Sequence, residues 1–185
     1  MSTITLSTHV TSTFLKGLNT LSHVLDVAES HAAATGADLN NDYLPARLID
    51  DMRPLSFQIQ NVTKNVKAVL DRLTGATGED AKPWQDTEKT WEEFRGRIEK
   101  AKAYIEGVDK TVIDERADRG EEIDHPWGPT LTVRITGRDS ALNQGIPNFY
   151  FHLATAYAIL RSKGVPVGKK DWIVEFFKPA QIPTA

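Results

Sequence analysis

The chain is 185 residues long, 40% hydrophobic and 25% charged, with 22 basic residues against 25 acidic ones. That is one domain's worth of sequence with an ordinary globular composition. Neither sign of charge gathers into a block, which removes the electrostatic footprint of a nucleic-acid or anionic-membrane partner, and the absence of cysteine excludes disulfides, thiolate metal ligands and cysteine nucleophiles.

The opening residues Met1-Ser2-Thr3-Ile4-Thr5-Leu6 have neither the basic start nor the unbroken apolar run of a signal peptide or a membrane span, so a cytoplasmic location is expected. Apolar residues spaced by alternating steps of three and four share one face of a helix, and four segments show that spacing. Phe14, Leu18, Leu21, Leu25 and Ala28 predict a first helix that stops at Gly36. Leu44, Leu48, Met52, Leu55, Ile59, Val62, Val66, Val69 and Leu73 predict a second, opened by Pro45 and closed by Gly75. Thr87, Trp91, Phe94, Ile98, Ala101, Ile105 and Val108 predict a third, with Asp86 as its N-cap. Next, Leu131, Val133 and Ile135 alternate with polar neighbours at the period of a strand. Its expected partner is Glu121-Glu122-Ile123-Asp124, with the turn in His125-Pro126-Trp127-Gly128-Pro129. Leu142, Ile146, Phe149, Leu153, Ala156 and Leu160 predict a fourth helix, ended by Gly164 and Pro166. The expected fold is mainly α: an antiparallel four-helix bundle over residues 1–171, with a small β-hairpin between helices 3 and 4. The apolar tail 172–185 is expected to pack on the bundle or on a partner subunit.

On this reading two prolines fall inside helices. Pro54 removes a hydrogen bond from helix 2 and crowds the carbonyl of Asp50, and Pro147 does the same to Asn143 in helix 4, beside Gly145. An interior proline costs roughly 3 kcal/mol. Either the helices kink there and open a pocket lined by freed carbonyls, or each proline opens a helix after a short preceding turn. Polar residues border both positions. Asp51 and Gln58, seven apart, share a face of helix 2; Asn148 and His152, four apart, share a face of helix 4, with Thr155 and Tyr157 a turn further on. Placed between helices, such a set can run proton transfer, with His152 as acid/base oriented by Asp51 and with Gln58, Asn148, Thr155 and Tyr157 contacting a substrate. The same residues can also form a buried network that only fixes helix register. His9, His23, His31 and His125 are expected at solvated positions. The sequence has no nucleophile elbow, phosphate-binding loop, dinucleotide fingerprint or His-Glu-x-x-His pair.

The run from Asp51 through Pro54 to Gln58, the run Glu88-Lys89-Thr90-Trp91, and the run Pro147-Asn148-Phe149-Tyr150-Phe151-His152 occur in order and continue to Gly164-Val165 and Gly168-Lys169. Together they resemble a fungal and bacterial domain-of-unknown-function branch of the DinB/YfiT-like helical-bundle superfamily, over the chain to about Asp171. The resemblance implies a four-helix bundle, often a homodimer, and in many members a divalent metal held by three histidines and used for thiol transfer, isomerisation or hydrolysis. His152 matches the helix 4 histidine, but Asn148 stands where a second is expected and helix 2 offers Asp51, so a Zn, Ni or Mn ion here would rest on His152 and Asp51. The expectation is therefore no obligatory cofactor and a small-molecule substrate: a cofactor-free isomerase, cyclase or lyase acting on an apolar metabolite between the helices. A metal-dependent DinB-like enzyme and a non-catalytic interaction protein are the alternatives.

Overall fold

A computed structural model describes residues 4–177, apart from the side chain of Trp127. Helix α1 (Leu6–Thr35) starts where Thr5 Oγ1 accepts from the Thr8 amide, and it ends at Gly36, whose φ of 77° returns its N–H to the Ala32 carbonyl. A π-helical turn, Leu39–Tyr43, capped by Asp38, follows it.

Helix α2 (Leu55–Thr74) does not take in Leu44–Met52, and this overturns the expected kink. Pro54 is the N-cap, at φ −71° and ψ 172°. The preceding chain folds back so that the Ala46 and Leu44 carbonyls accept from the amides of Leu55 at 2.9 Å and Ser56 at 3.1 Å. These are first-turn donors that have no partner within their own helix. Leu44 is buried, but Leu48 and Ile49 are 40% and 63% exposed, so the apolar register before Pro54 does not mark a helical face.

Helix α3 (Trp91–Glu106) opens on a reciprocal capping box between Thr90 and Glu93 rather than on Asp86. Helix α4 (Lys110–Asp118), capped by Asp109, was not evident in the sequence; Ile113 alone of its residues is buried. The hairpin is as expected, with a shorter turn: β1 (Glu122–Trp127) pairs antiparallel with β2 (Leu131–Thr136), Glu122 opposite Thr136 and Trp127 opposite Leu131. His125 and Pro126 therefore belong to the strand, and Gly128, at φ 71°, makes the turn. Helix α5 (Gly137–Asp139) widens into a π-helical turn over Ser140–Gly145 and continues as α6 (Ile146–Ser162). Pro147 is the second residue of α6, but the chain before it is already helical: the helix widens into the π-helical turn just ahead of the proline, with the Ile146 amide on the Ala141 carbonyl. Pro54, outside α2, kinks no helix.

The long helices α1, α2, α3 and α6 enclose the core, with α1 and α2 on one diagonal. Chain directions follow from the contacts. Trp91, at the start of α3, bonds Glu29 near the end of α1, while Lys102 reaches Ser22, so α1 and α3 are antiparallel. Gln58 meets His152 and Asn65 meets Gly145, so α2 and α6 are antiparallel too. By contrast, α2 and α3 run in the same direction, with Thr63 on Arg97 and Asp71 on Tyr104. The chain between them must return along α2, and it does: Lys67 reaches the Asp80 carbonyl, Lys64 pairs with Asp86 at 2.5 Å, and Gln60 donates to Glu88 at 3.2 Å. Helix α7 (Lys169–Phe177) lies along α1 and beside α6, with Asp171 on His23, Trp172 edge-on to Tyr157 and Phe176 against Tyr150. The rest of the apolar tail, 178–185, lies outside the described residues.

Two glycines set how closely the helices approach. A Cβ at Gly145 would come within 2.5 Å of Val69 Cγ2, and one at Gly17 within 2.6 Å of Phe149 Cζ and 3.3 Å of Leu153. Gly17→Ala is expected to destabilise the fold by about 1–3 kcal/mol through overpacking, even though alanine is the better helix former by ~1 kcal/mol. Urea denaturation that showed Gly17→Ala to be stabilising would contradict the close α1–α6 packing.

Candidate functional site

The α2–α6 antiparallel pairing brings together two of the residues singled out above. His152 is 9% exposed and Gln58 2% exposed, with Nδ1 of the imidazole 2.8 Å from Oε1 of the amide. Gln58 Nε2 donates to the Arg53 carbonyl at 3.0 Å, which turns Oε1 toward the ring. An oxygen there can only accept, so His152 Nδ1 carries the proton and donates it. Burial, and then the Lys64 ammonium, push the imidazole down to about 4. At neutral pH the ring is therefore uncharged, with its lone pair on Nε2, which has no hydrogen-bond partner among the described residues. Phe57 stands nearly edge-on to this ring at 6.0 Å and Phe151 at 5.2 Å, and the Arg53 guanidinium covers Phe57 at 5.4 Å. Phe151 is 58% exposed, an apolar rim beside a polar floor.

Other expected residues are placed differently. Asp51 is exposed in the turn before α2, and the group that orients His152 is Gln58. Asp51 falls outside α2 because the helix starts at Leu55, eleven residues after Leu44, the first member of the apolar stripe. Thr155 is buried and donates to the Phe151 carbonyl at 2.7 Å. Tyr157 turns about 140° around the helix axis from His152, where its hydroxyl reaches the Val167 carbonyl at 3.4 Å and its ring meets Trp172. Asn148 is half-buried and lines a cavity of about 460 Å³ with Phe151, Gln144, and Pro126 and Gly128 of the hairpin.

Of two further polar residues here, Gln144 carried no sequence signal and His125 is placed otherwise than expected. Gln144 Oε1 is closed off from solvent with no hydrogen-bond partner, an acceptor without a donor. His125, expected in a solvated turn, is 1% exposed and bonded to Ser140 Oγ at 2.7 Å. Burial, then Arg72, hold its imidazole below the ordinary range. A signal for His125 was present in the strand period: Ile123 and His125 alternate as Ile135 and Val133 do, and the register pairs them. His31 and His23 are engaged as well, with Tyr43 Oη and Asp171 respectively.

A family model described as a domain of unknown function (DUF1993) matches residues 6–173. The chain belongs to the DUF1993 family. The crystal structure of a DinB family member protein from Shewanella denitrificans is 34% identical to it, with a TM-score of 0.76, over 93% of this chain and 90% of that chain. No curated protein matches. The DinB-like bundle implied by the motifs is thus the fold of this DUF1993 chain, and among its described residues no helix is long and apolar enough to cross a membrane.

The three-histidine metal implied by the wider superfamily does not fit the donors of this DUF1993 chain. His152 spends Nδ1 on an amide, Asn148 occupies the position one turn before it, and Asp51 lies in the solvent-exposed turn. Among the described residues no three His, Asp or Glu side chains are grouped to hold a metal ion.

Proposed function

We propose that this DUF1993 chain is a cofactor-free small-molecule-binding protein, seating a mainly apolar metabolite where α6 meets the hairpin and the first turns of α2. The observation that carries the reading is the tautomer-fixed, neutral His152, whose Nε2 lone pair has no partner within the chain. It accepts a hydrogen bond from a hydroxyl or N–H of the ligand, while Phe57 and Phe151 cover the apolar body and Asn148 supplies an amide at the rim. Gln144 Oε1, the orphaned acceptor on the adjoining cavity, supports the same ligand chemistry. The reading keeps the small-molecule site expected from the sequence and sets aside the acid. An imidazole titrating at about 4 has no proton to give at neutral pH, and it is a weaker base than a catalyst working near pH 7 requires.

A thermal-shift screen of apolar hydroxyl- and amine-bearing metabolites tests the proposal, because a ligand of the native state raises stability by mass action. Compounds that stabilise the wild type are expected to bind His152→Phe roughly tenfold more weakly, the loss of about one hydrogen bond. Hits that bind the variant undiminished, or a screen without hits, would remove the role given to Nε2.

A further inference from the structure

A second cavity, of about 260 Å³, opens at the far end of α2 from Gln58, between the last turn of α2, helix α4, the base of the hairpin and α5. Its apolar wall is Leu73, Ile113 and Ile123. Its charged wall is Arg72, Arg116, Arg138, Glu121 and Asp139, and several of these groups already have a partner or open solvent. Arg116 lies over Gly75 and pairs with Glu121 Oε1 at 3.1 Å. The Asp139 oxygens accept from Thr136 Oγ1 at 2.8 Å and from Asn143 Nδ2 at 3.3 Å. Arg138 is exposed.

Two groups are left over. Arg72 is half-buried and makes no hydrogen bond or ion pair among the described residues. A cation in the last turn of α2 suits the helix dipole, but that interaction leaves the five guanidinium donors unused. Burial pushes Arg72 downward and the neighbouring Asp71 charge offsets this only in part; Asp71 itself is bonded to Lys67 and Tyr104. The second group is Glu121 Oε2, shielded from solvent, with no hydrogen bond and only Arg119 near it at 3.8 Å.

We propose that this cavity binds a small hydroxy- or amino-carboxylate with a short branched apolar chain. The planar Arg72 guanidinium takes the carboxylate in bidentate fashion, Glu121 Oε2 accepts from the ligand's hydroxyl or ammonium, and Leu73, Ile113 and Ile123 cover the chain. The volume suits a molecule of a few heavy atoms, below the usual range for larger ligands. Phosphate offers no apolar body for that wall and no donor of comparable reach for Glu121.

The test is titration of the full chain with 2-hydroxyisovalerate, valine, isovalerate and inorganic phosphate at up to about 10 mM, read by the Nε–Hε NMR signal of Arg72 and by melting temperature. At least one of the first two is expected to shift that signal saturably and raise the melting temperature by several degrees, with isovalerate weaker and phosphate without effect. Arg72→Met is expected to weaken binding at least tenfold, while His152→Ala binds as the wild type does, which separates this site from the one under Proposed function. The proposal fails if neither 2-hydroxyisovalerate nor valine moves the Arg72 signal, if phosphate matches them, or if Arg72→Met binds equally well. Because the Arg72 signal is read in the wild type, a variant that does not fold still leaves a decisive measurement.

Discussion

Arg97→Met is expected to destabilise the protein by about 3–5 kcal/mol, the cost of breaking a buried ion pair by removing one partner. The Arg97 side chain is 3% exposed. Its Nε donates to Thr63 Oγ1 on α2 at 2.7 Å, and one terminal nitrogen donates to the Gln85 carbonyl at 2.8 Å and to Glu88 at 2.6 Å, while the other reaches Asp86 at 3.2 Å. One guanidinium thus joins α3, α2 and the returning segment between them. Methionine replaces the apolar stem but none of the donors, so Glu88, only 14% exposed, keeps its charge and loses its cation. Lysine is no substitute, since a point charge cannot reproduce the planar fork. Urea unfolding is the measurement; a loss under about 1 kcal/mol, the size of an exposed pair, would show that the junction carries little of the fold's stability.

That junction also marks where sequence reading stops. The stripe Ile59, Val62, Val66, Val69 and Leu73 was legible because periodic burial leaves periodic residues, and all five are buried. Gly36 and Gly75 were legible as helix ends because their φ values of 77° and 75° suit glycine. Arg97, between Phe94 and Ile98, carries no such mark: its burial follows from α2 and α3 running in the same direction, and direction is a property of packing, not of period. The start of α2 was hidden for a similar reason. The hydrogen bonds that permit Pro54 as a cap come from Ala46 and Leu44 across a chain reversal, and apolar spacing happens to run through that reversal unbroken. The candidate site inherits the same limit. Spacing put Gln58 and Asp51 on one face and His152 opposite, but which of the two meets the imidazole depends on where the helix begins.

Because that partner is an amide, the stability of the protein is expected to fall by roughly 3 kcal/mol on His152's account alone as pH drops from about 6.5 to about 4. The sign follows from proton counting. In the unfolded chain the ring titrates near its ordinary value of 6.5, and in the folded one at about 4. Between those limits the unfolded state binds the extra proton, so acid favours unfolding; above both values the ring is neutral in either state and exacts nothing. His125, held low by burial and Arg72, adds to the same limb, so the test must be differential. His152→Gln keeps a donor toward Gln58 and removes the titration, and it is expected to flatten the acid limb by about 3 kcal/mol relative to the wild type in urea unfolding at a series of pH values. An unchanged limb would mean that His152 is not buried as a neutral ring. Gln58→Glu supplies the opposite sign: a carboxylate at 2.8 Å would hold the imidazolium, raise the histidine pKa and restore stability in acid. The wild-type amide fixes the tautomer while adding no charge, and that combination leaves the Nε2 lone pair available at neutral pH.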